Sequence, residues 1–239
     1  GINHMAWLLE ITRDGKDLYP EIKRRAAALT EKHNDMVRFE IMKRFGYYVT
    51  ESSEHNAEYL PYFIKDKYPE LIERFNIPLD EYPRRCVEQI KGWEKEREDI
   101  LKDGKVTHER SKEYASYIME AVVTGNPYKI GGNVLNTGLI DNLPSDACVE
   151  VPCMVDANGI NPCHVGRLPV QLAAMNMTNI NVQLLTIEAA ATRSKEKIYQ
   201  AAMLEPHTAA ELNIDDIKAM CDELIEAQGN YMSMYKIKR

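Results

Sequence analysis

Two short stretches concentrate the side chains that can do chemistry. In Asn3-His4-Met5-Ala6-Trp7 a polar pair interrupts an otherwise apolar segment. An imidazole there is either a metal ligand or proton carrier, because its pKa lies near neutrality, or a histidine satisfied by its own packing. The second stretch, Thr50-Glu51-Ser52-Ser53-Glu54-His55-Asn56-Ala57-Glu58, ends in Tyr59-Leu60-Pro61-Tyr62-Phe63. It reads equally as a carboxylate- and imidazole-bearing site or as a capped surface loop ahead of core aromatics. Cys148, Cys153, Cys163 and His164 suggest zinc by composition. Residues five apart on a strand face opposite sides, however, so Cys148 and Cys153 converge only at a bulge or bend. Small buried residues near a turn are the simpler reading.

Several other chemistries lose support. There is no Gly-x-Gly-x-x-Gly or Gly-x4-Gly-Lys-Ser/Thr phosphate loop, and the nearest approach, Ile130-Gly131-Gly132-Asn133, does not open a helix pattern. No Gly-x-Ser-x-Gly elbow points to a serine hydrolase. The 30 Lys and Arg residues against 37 Asp and Glu leave a net charge of -7, which argues against a nucleic-acid partner. No apolar run approaches the roughly 20 residues that a membrane span needs. An odd set of 5 cysteines fits a reducing cytoplasm better than a disulfide framework. The chain opens on an apolar segment with no initiator Met, which predicts the second part of a longer protein.

The elements that must position these residues are mainly helical. Met36, Val37, Ile41 and Phe45 recur at helical spacing and predict a helix over 31–45, with Gly46 as its left-handed cap. Tyr47 to Thr50 reads as a short strand, and Ser52 or Ser53 as the N-cap of a helix carrying Tyr59, Tyr62 and Phe63. Pro69 opens another short helix, ending at Phe75. A longer one runs from about Asp80 to Gly104, with Cys86, Ile90 and Trp93 on one face. Tyr114, Ile118 and Val122 mark a further helix closed by Gly125. From Asn126 to Pro169 the chain is rich in Gly, Asn and Pro, with β-like runs at 128–130, 133–135 and 148–155. Helical pattern returns over 168–204 and 214–228. The expected architecture is a single α+β domain spanning residues 1–239.

Longer motifs carry a resemblance. Gly1-Ile2-Asn3-His4-Met5-Ala6-Trp7, Gly46-Tyr47-Tyr48-Val49-Thr50-Glu51-Ser52-Ser53-Glu54-His55, and Gly138-Leu139-Ile140-Asp141-Asn142-Leu143-Pro144 with Val149-Glu150-Val151 resemble glycoside hydrolase family 4. The likeness is greatest to its α-galactosidase (melibiase) branch and extends through Leu168-Pro169 and Glu205-Pro206-His207-Thr208-Ala209-Ala210. It covers the family's carboxy-terminal domain. The family's Rossmann domain, which holds NAD+, would precede Gly1.

The resemblance implies a glycosidase that departs from the usual carboxylate pair. In the family, NAD+ takes hydride from carbon 3 of the sugar, a base removes the proton from carbon 2, and the aglycone leaves by elimination. Water then adds, and the hydride returns. A divalent metal, typically Mn2+, polarises the sugar oxygens. The resemblance puts the metal-binding histidine at His4, its cysteine partner in the other half, and the catalytic tyrosine at Tyr59, with Tyr62 as its rival. Asn3, Glu54 and His55 are candidates for binding sugar hydroxyls, and Asn133 and Asn136 for lining the same cleft. The implied fold resembles the carboxy-terminal domain of lactate and malate dehydrogenases, mostly helical with a small antiparallel sheet. The implied substrate is an α-galactoside such as melibiose, with a homo-oligomer as the working state. An α-galacturonidase, or an oligomerisation domain in which His4 and Tyr59 merely pack, is the alternative.

Overall fold

A buried strap begins the chain. The computed structural model describes residues 1–104, 111 and 113–236. Trp7–Leu8 (β1) leads into a small hairpin of Thr12–Arg13 (β2) and Lys16–Asp17 (β3). Helices Tyr19–Ala28 (α1) and Met36–Phe45 (α2) precede Tyr48–Val49 (β4), which pairs antiparallel with β1. Ser53–Glu58 (α3) and Glu70–Arg74 (α4) are short, whereas Glu81–Asp103 (α5) is long. Ala115–Thr124 (α6) enters an antiparallel sheet of Tyr128–Leu135 (β5), Cys148–Asp156 (β6) and Gly159–Pro162 (β7), with β6 in the middle. Val170–Thr192 (α7), Lys195–Leu204 (α8), Pro206–Glu211 (α9) and Ile214–Gln228 (α10) follow. This is the expected α+β arrangement, mostly helical with small antiparallel sheets.

Periodicity explains which faces meet. On β6, Val149, Val151, Cys153 and Val155 are buried and alternate with exposed Cys148, Pro152 and Met154. Most of that inner face joins one cluster with Leu172, Met175 and Ile180 of α7, Val37 and Ile41 of α2, and Ile2, Met5 and Trp7 of the strap. Burying each such aliphatic side chain contributes about 1.5–3 kcal/mol. The strap is therefore core, although it carries His4. By contrast, Ile90 and Trp93 of α5 are 61% and 59% exposed, so that helix leaves its apolar stripe uncovered within one chain.

Several boundaries differ from the sequence reading for local reasons. The first long helix starts at Met36 instead of residue 31, because side chains compete for the backbone ahead of it: the Asp35 N–H donates to His33 Nδ1. Gly46 does cap it, at φ +93°. Ser52 is the N-cap of α3, but that helix stops at Glu58 and leaves Tyr62 and Phe63 beyond it. Pro61 lacks the N–H a further turn would need and disfavours helical backbone just before it. The two runs at 128–130 and 133–135 are one strand. Gly131 and Gly132 interrupt nothing in its register, and a Cβ on Gly132 would lie 2.6 Å from Cys153 Sγ, so glycine there permits close packing instead of a turn. The helical run over 168–204 is two helices, broken where Arg193 turns left-handed at φ +57° and Ser194 caps α8.

One buried amide organises the loop between β5 and β6. Asn136 donates to the carbonyls of Ile140, Leu143 and Pro144, and accepts from the N–H groups of Leu139 and Ile140. Asn136→Ala leaves these groups without partners and is expected to lower the unfolding free energy by about 2–4 kcal/mol in urea denaturation. A loss below half a kilocalorie would show that water replaces the side chain.

Candidate active site

His4 stands at the corner of a tight turn. The Met5 N–H donates to the Ile2 carbonyl at 2.9 Å, and His4 takes φ +64°, a region that favours glycine. A non-glycine residue held there costs about 1–3 kcal/mol unless its surroundings impose the conformation. Here they do. Asn176 of α7, fully buried, accepts from the Trp7 indole at 3.0 Å and donates to the Met5 carbonyl at 2.8 Å. On one edge Ala6 and Thr50 exchange two bonds, at 2.8 Å between backbones and 3.0 Å to the Thr50 hydroxyl. On the other, the Glu150 N–H of β6 donates to the Gly1 carbonyl at 2.8 Å.

The same pairing delivers the second stretch. With Trp7 opposite Val49, the chain beyond β4 runs back along the strap and brings Glu51 to His4. The Glu51 carboxylate lies between two imidazoles, 3.7 Å from His4 Nε2 and 3.5 Å from His55 Nδ1. The His4 and His55 ring centroids are 4.8 Å apart. Tyr59 meets His4 edge-on at 5.7 Å and stacks against His55 at 6.4 Å. Asn3, His4, Tyr59, Asn179 and Gln183 line a cavity of about 110 Å³.

The site is electrostatically negative around its phenol. Burial pushes the Tyr59 pKa above its ordinary value, and the carboxylates of Glu58 and Glu51 push it further. Burial likewise raises the Glu150 carboxyl, with Glu51 adding to the rise and His4 opposing it. These groups favour the neutral phenol, and a cation placed beside it would favour the phenolate. His4, with two carboxylates near it, suits a divalent cation as one donor. Among the described residues no group of three His, Cys, Asp or Glu side chains converges as a metal site.

The structure sorts the expected residues. Asn3 and Tyr59 share the His4 cavity, and His55 stands beside it. Tyr62 does not: it packs on Phe45 at 6.1 Å and is half-exposed. Glu54 lies in a separate depression with Asn34, Asn76 and Glu81. Asn136 is the loop amide described above and lines no cleft. Asn133 is exposed on the sheet face that also carries its pairing partner Glu150, and it is not among the residues lining the His4 cavity. Cys148 and Cys153 stand on opposite faces of an unbulged ladder, and all five thiols are free. The sequence reading missed Glu51, Asn179 and Gln183. Two signals were present: Glu51, His55 and Tyr59 follow each other at intervals of four, and Asn176, Asn179 and Gln183 make a polar stripe on an apolar helix.

A strap-held imidazole facing a phenol on this α+β scaffold belongs to a known domain class. Residues 1–208 match the family 4 glycosyl hydrolase C-terminal domain. The chain is a member of glycosyl hydrolase family 4. It is 66% identical over 237 residues to an alpha-galactosidase of Bacillus subtilis, covering 99% of this chain and 55% of that protein. The fold superposes on the lplD protein of Bacillus subtilis with a TM-score of 0.82 at 21% identity, covering 94% of this chain and 54% of that one. A 6-phospho-alpha-glucosidase from gut microorganisms, solved with NAD and Mn2+, gives 0.68 at 21% identity, over 100% and 56% of the two chains. The chain spans about half the length of each of these proteins.

The raised phenol can be read directly. In metal-free protein, the difference in 295 nm absorbance between the wild type and Tyr59→Phe is expected to show a tyrosine ionising above pH 10. Because its folded pKa exceeds the unfolded value, the stability it contributes is complete below pH 10 and declines as pH rises through the folded pKa. Ionisation below pH 10 would contradict the assigned environment.

Proposed function

We propose that this chain is the sugar- and metal-binding half of an α-galactosidase that works with NAD+ and a divalent metal, and that a Rossmann domain precedes it. The observation that carries the reading is the meeting of His4 and Tyr59 across one cavity, from separate stretches of sequence, in a chain 66% identical to an alpha-galactosidase. When bound, NAD+ would supply the hydride acceptor and manganese the Lewis acid for the sugar oxygens.

The chain's own residues would do the rest. His4 offers one imidazole nitrogen to the metal. With a bound cation supplying the positive charge that favours the phenolate, the Tyr59 oxygen would take the proton from carbon 2 of the galactose ring. It has no hydrogen-bond partner among the described residues, which leaves it free for that proton. Asn3, Asn179 and Gln183 carry amides able both to donate to and accept from hydroxyls, as sugar recognition requires. Among the described residues the polar lining of the cavity is amides, His4 and Tyr59, and Glu51 and Glu150 interact with His4, a negative setting that suits a neutral α-galactoside better than a phosphorylated or uronic sugar. The free thiols fit a cytoplasmic setting, and the bare stripe on α5 fits a homo-oligomer.

The two-domain protein, assayed with NAD+ and manganese, tests this. Tyr59→Phe is expected to lower turnover of an α-galactoside by about 10²–10⁴-fold while preserving metal and NAD+ binding. Tyr62→Phe, on the far side of its loop, is expected to stay within a few-fold of wild type. Product formed in heavy water should carry deuterium at carbon 2. Absence of that label would sink the elimination chemistry, and a crippled Tyr62→Phe beside an active Tyr59→Phe would reverse the assignment of the base.

A second expectation concerns His4. His4→Ala should weaken manganese binding in titration calorimetry while the protein remains folded. Unchanged affinity would return His4 to a packing role.

A further inference from the structure

The carboxylate between the two imidazoles has entered so far only through its charge, yet the structure invests heavily in its placement. Glu51 adopts φ +69°, unusual for a side chain of its kind. Its backbone is gripped from three directions. The Arg38 guanidinium, itself paired with Asp35, donates to the Glu51 carbonyl. The side-chain amide of fully buried Asn56 donates to the carbonyls on either side, Thr50 at 3.0 Å and Ser52 at 2.9 Å. Thr50 is bonded to Ala6 in the strap.

We propose that Glu51 is a positioning residue for the sugar site: its carboxylate, held between His4 and His55, fixes the His4 imidazole in the orientation that binds the cation. The inference rests on the proposed function, which makes His4 a metal donor. His55 completes the clamp from the other side. Its Nδ1 lies 2.8 Å from the Ser52 hydroxyl and 3.5 Å from Glu51, so the ring that steadies the carboxylate is itself steadied by the α3 cap. Groups that orient a metal-binding histidine typically change metal affinity 10–100-fold when removed.

The test measures manganese affinity and thermal midpoint in the complete two-domain protein, without sugar. Glu51→Gln keeps the size of the side chain and removes its charge. It is expected to bind manganese 10–100-fold more weakly with an unchanged midpoint. Glu51→Gly removes the side chain and relaxes the left-handed backbone, so it should lose affinity to a similar extent without losing thermal stability. Glu51→Asp, which retains the charge, should recover part of the affinity. Manganese bound within twofold of wild type by Glu51→Gln, but lost in His4→Ala, would overturn this inference alone. A wild-type protein that binds no manganese would overturn the proposed function and the inference together.

Discussion

The site depends on one buried carboxamide. Asn176 reaches from the first third of α7 to the strap and bonds two residues just beyond His4, at the Met5 carbonyl and the Trp7 indole. Each bond is made in an apolar interior, where an unpaired partner would cost about 1–3 kcal/mol, so strap and helix cannot drift apart independently. Everything else about His4 follows from that anchorage. The turn that exposes its imidazole is tight because its far end is fixed, and β4 pairs in one register because Trp7 is already seated.

Two strained residues meet in this arrangement. His4 and Glu51 both hold left-handed backbone, and each is over-determined by hydrogen bonds from outside its own segment. The interior polar groups that do this are amides and a guanidinium, while the cavity itself is flanked by carboxylates. Packing energy from the apolar cluster is thereby converted into a fixed, negatively biased pocket around a phenol whose neutral form it favours.

Much of this was legible in the sequence, and the exceptions have physical causes. Gly46 and Ser52 announce their caps because only a few side chains perform those tasks, and the structure uses both. Tyr59 and Tyr62 looked like neighbours on one helical face, yet Pro61 ends the helix between them and sends the second ring to Phe45. Glu54 attracted notice as a carboxylate beside His55, but only Glu51, one turn before that histidine, comes round to the strap. A carboxylate in a polar loop carries no local mark of a positive φ or of an Arg38 waiting beneath it. Likewise, Gly131 and Gly132 read as a break because a glycine required by a neighbour's sulfur resembles one required by a turn.

The strap's partners are widely separated along the chain. Gly1 meets Glu150, and Trp7 meets Asn176 across 169 residues, so pairing with β4 alone does not complete the surroundings of His4. Contacts of such high sequence separation form late, because the entropy of closing the loop precedes any reward from it. The strap therefore stays only partly paired until α7 has been made. A formed site accordingly reports on distant parts of the domain at once, because His4 is seated only where β4, β6 and α7 have come together around it.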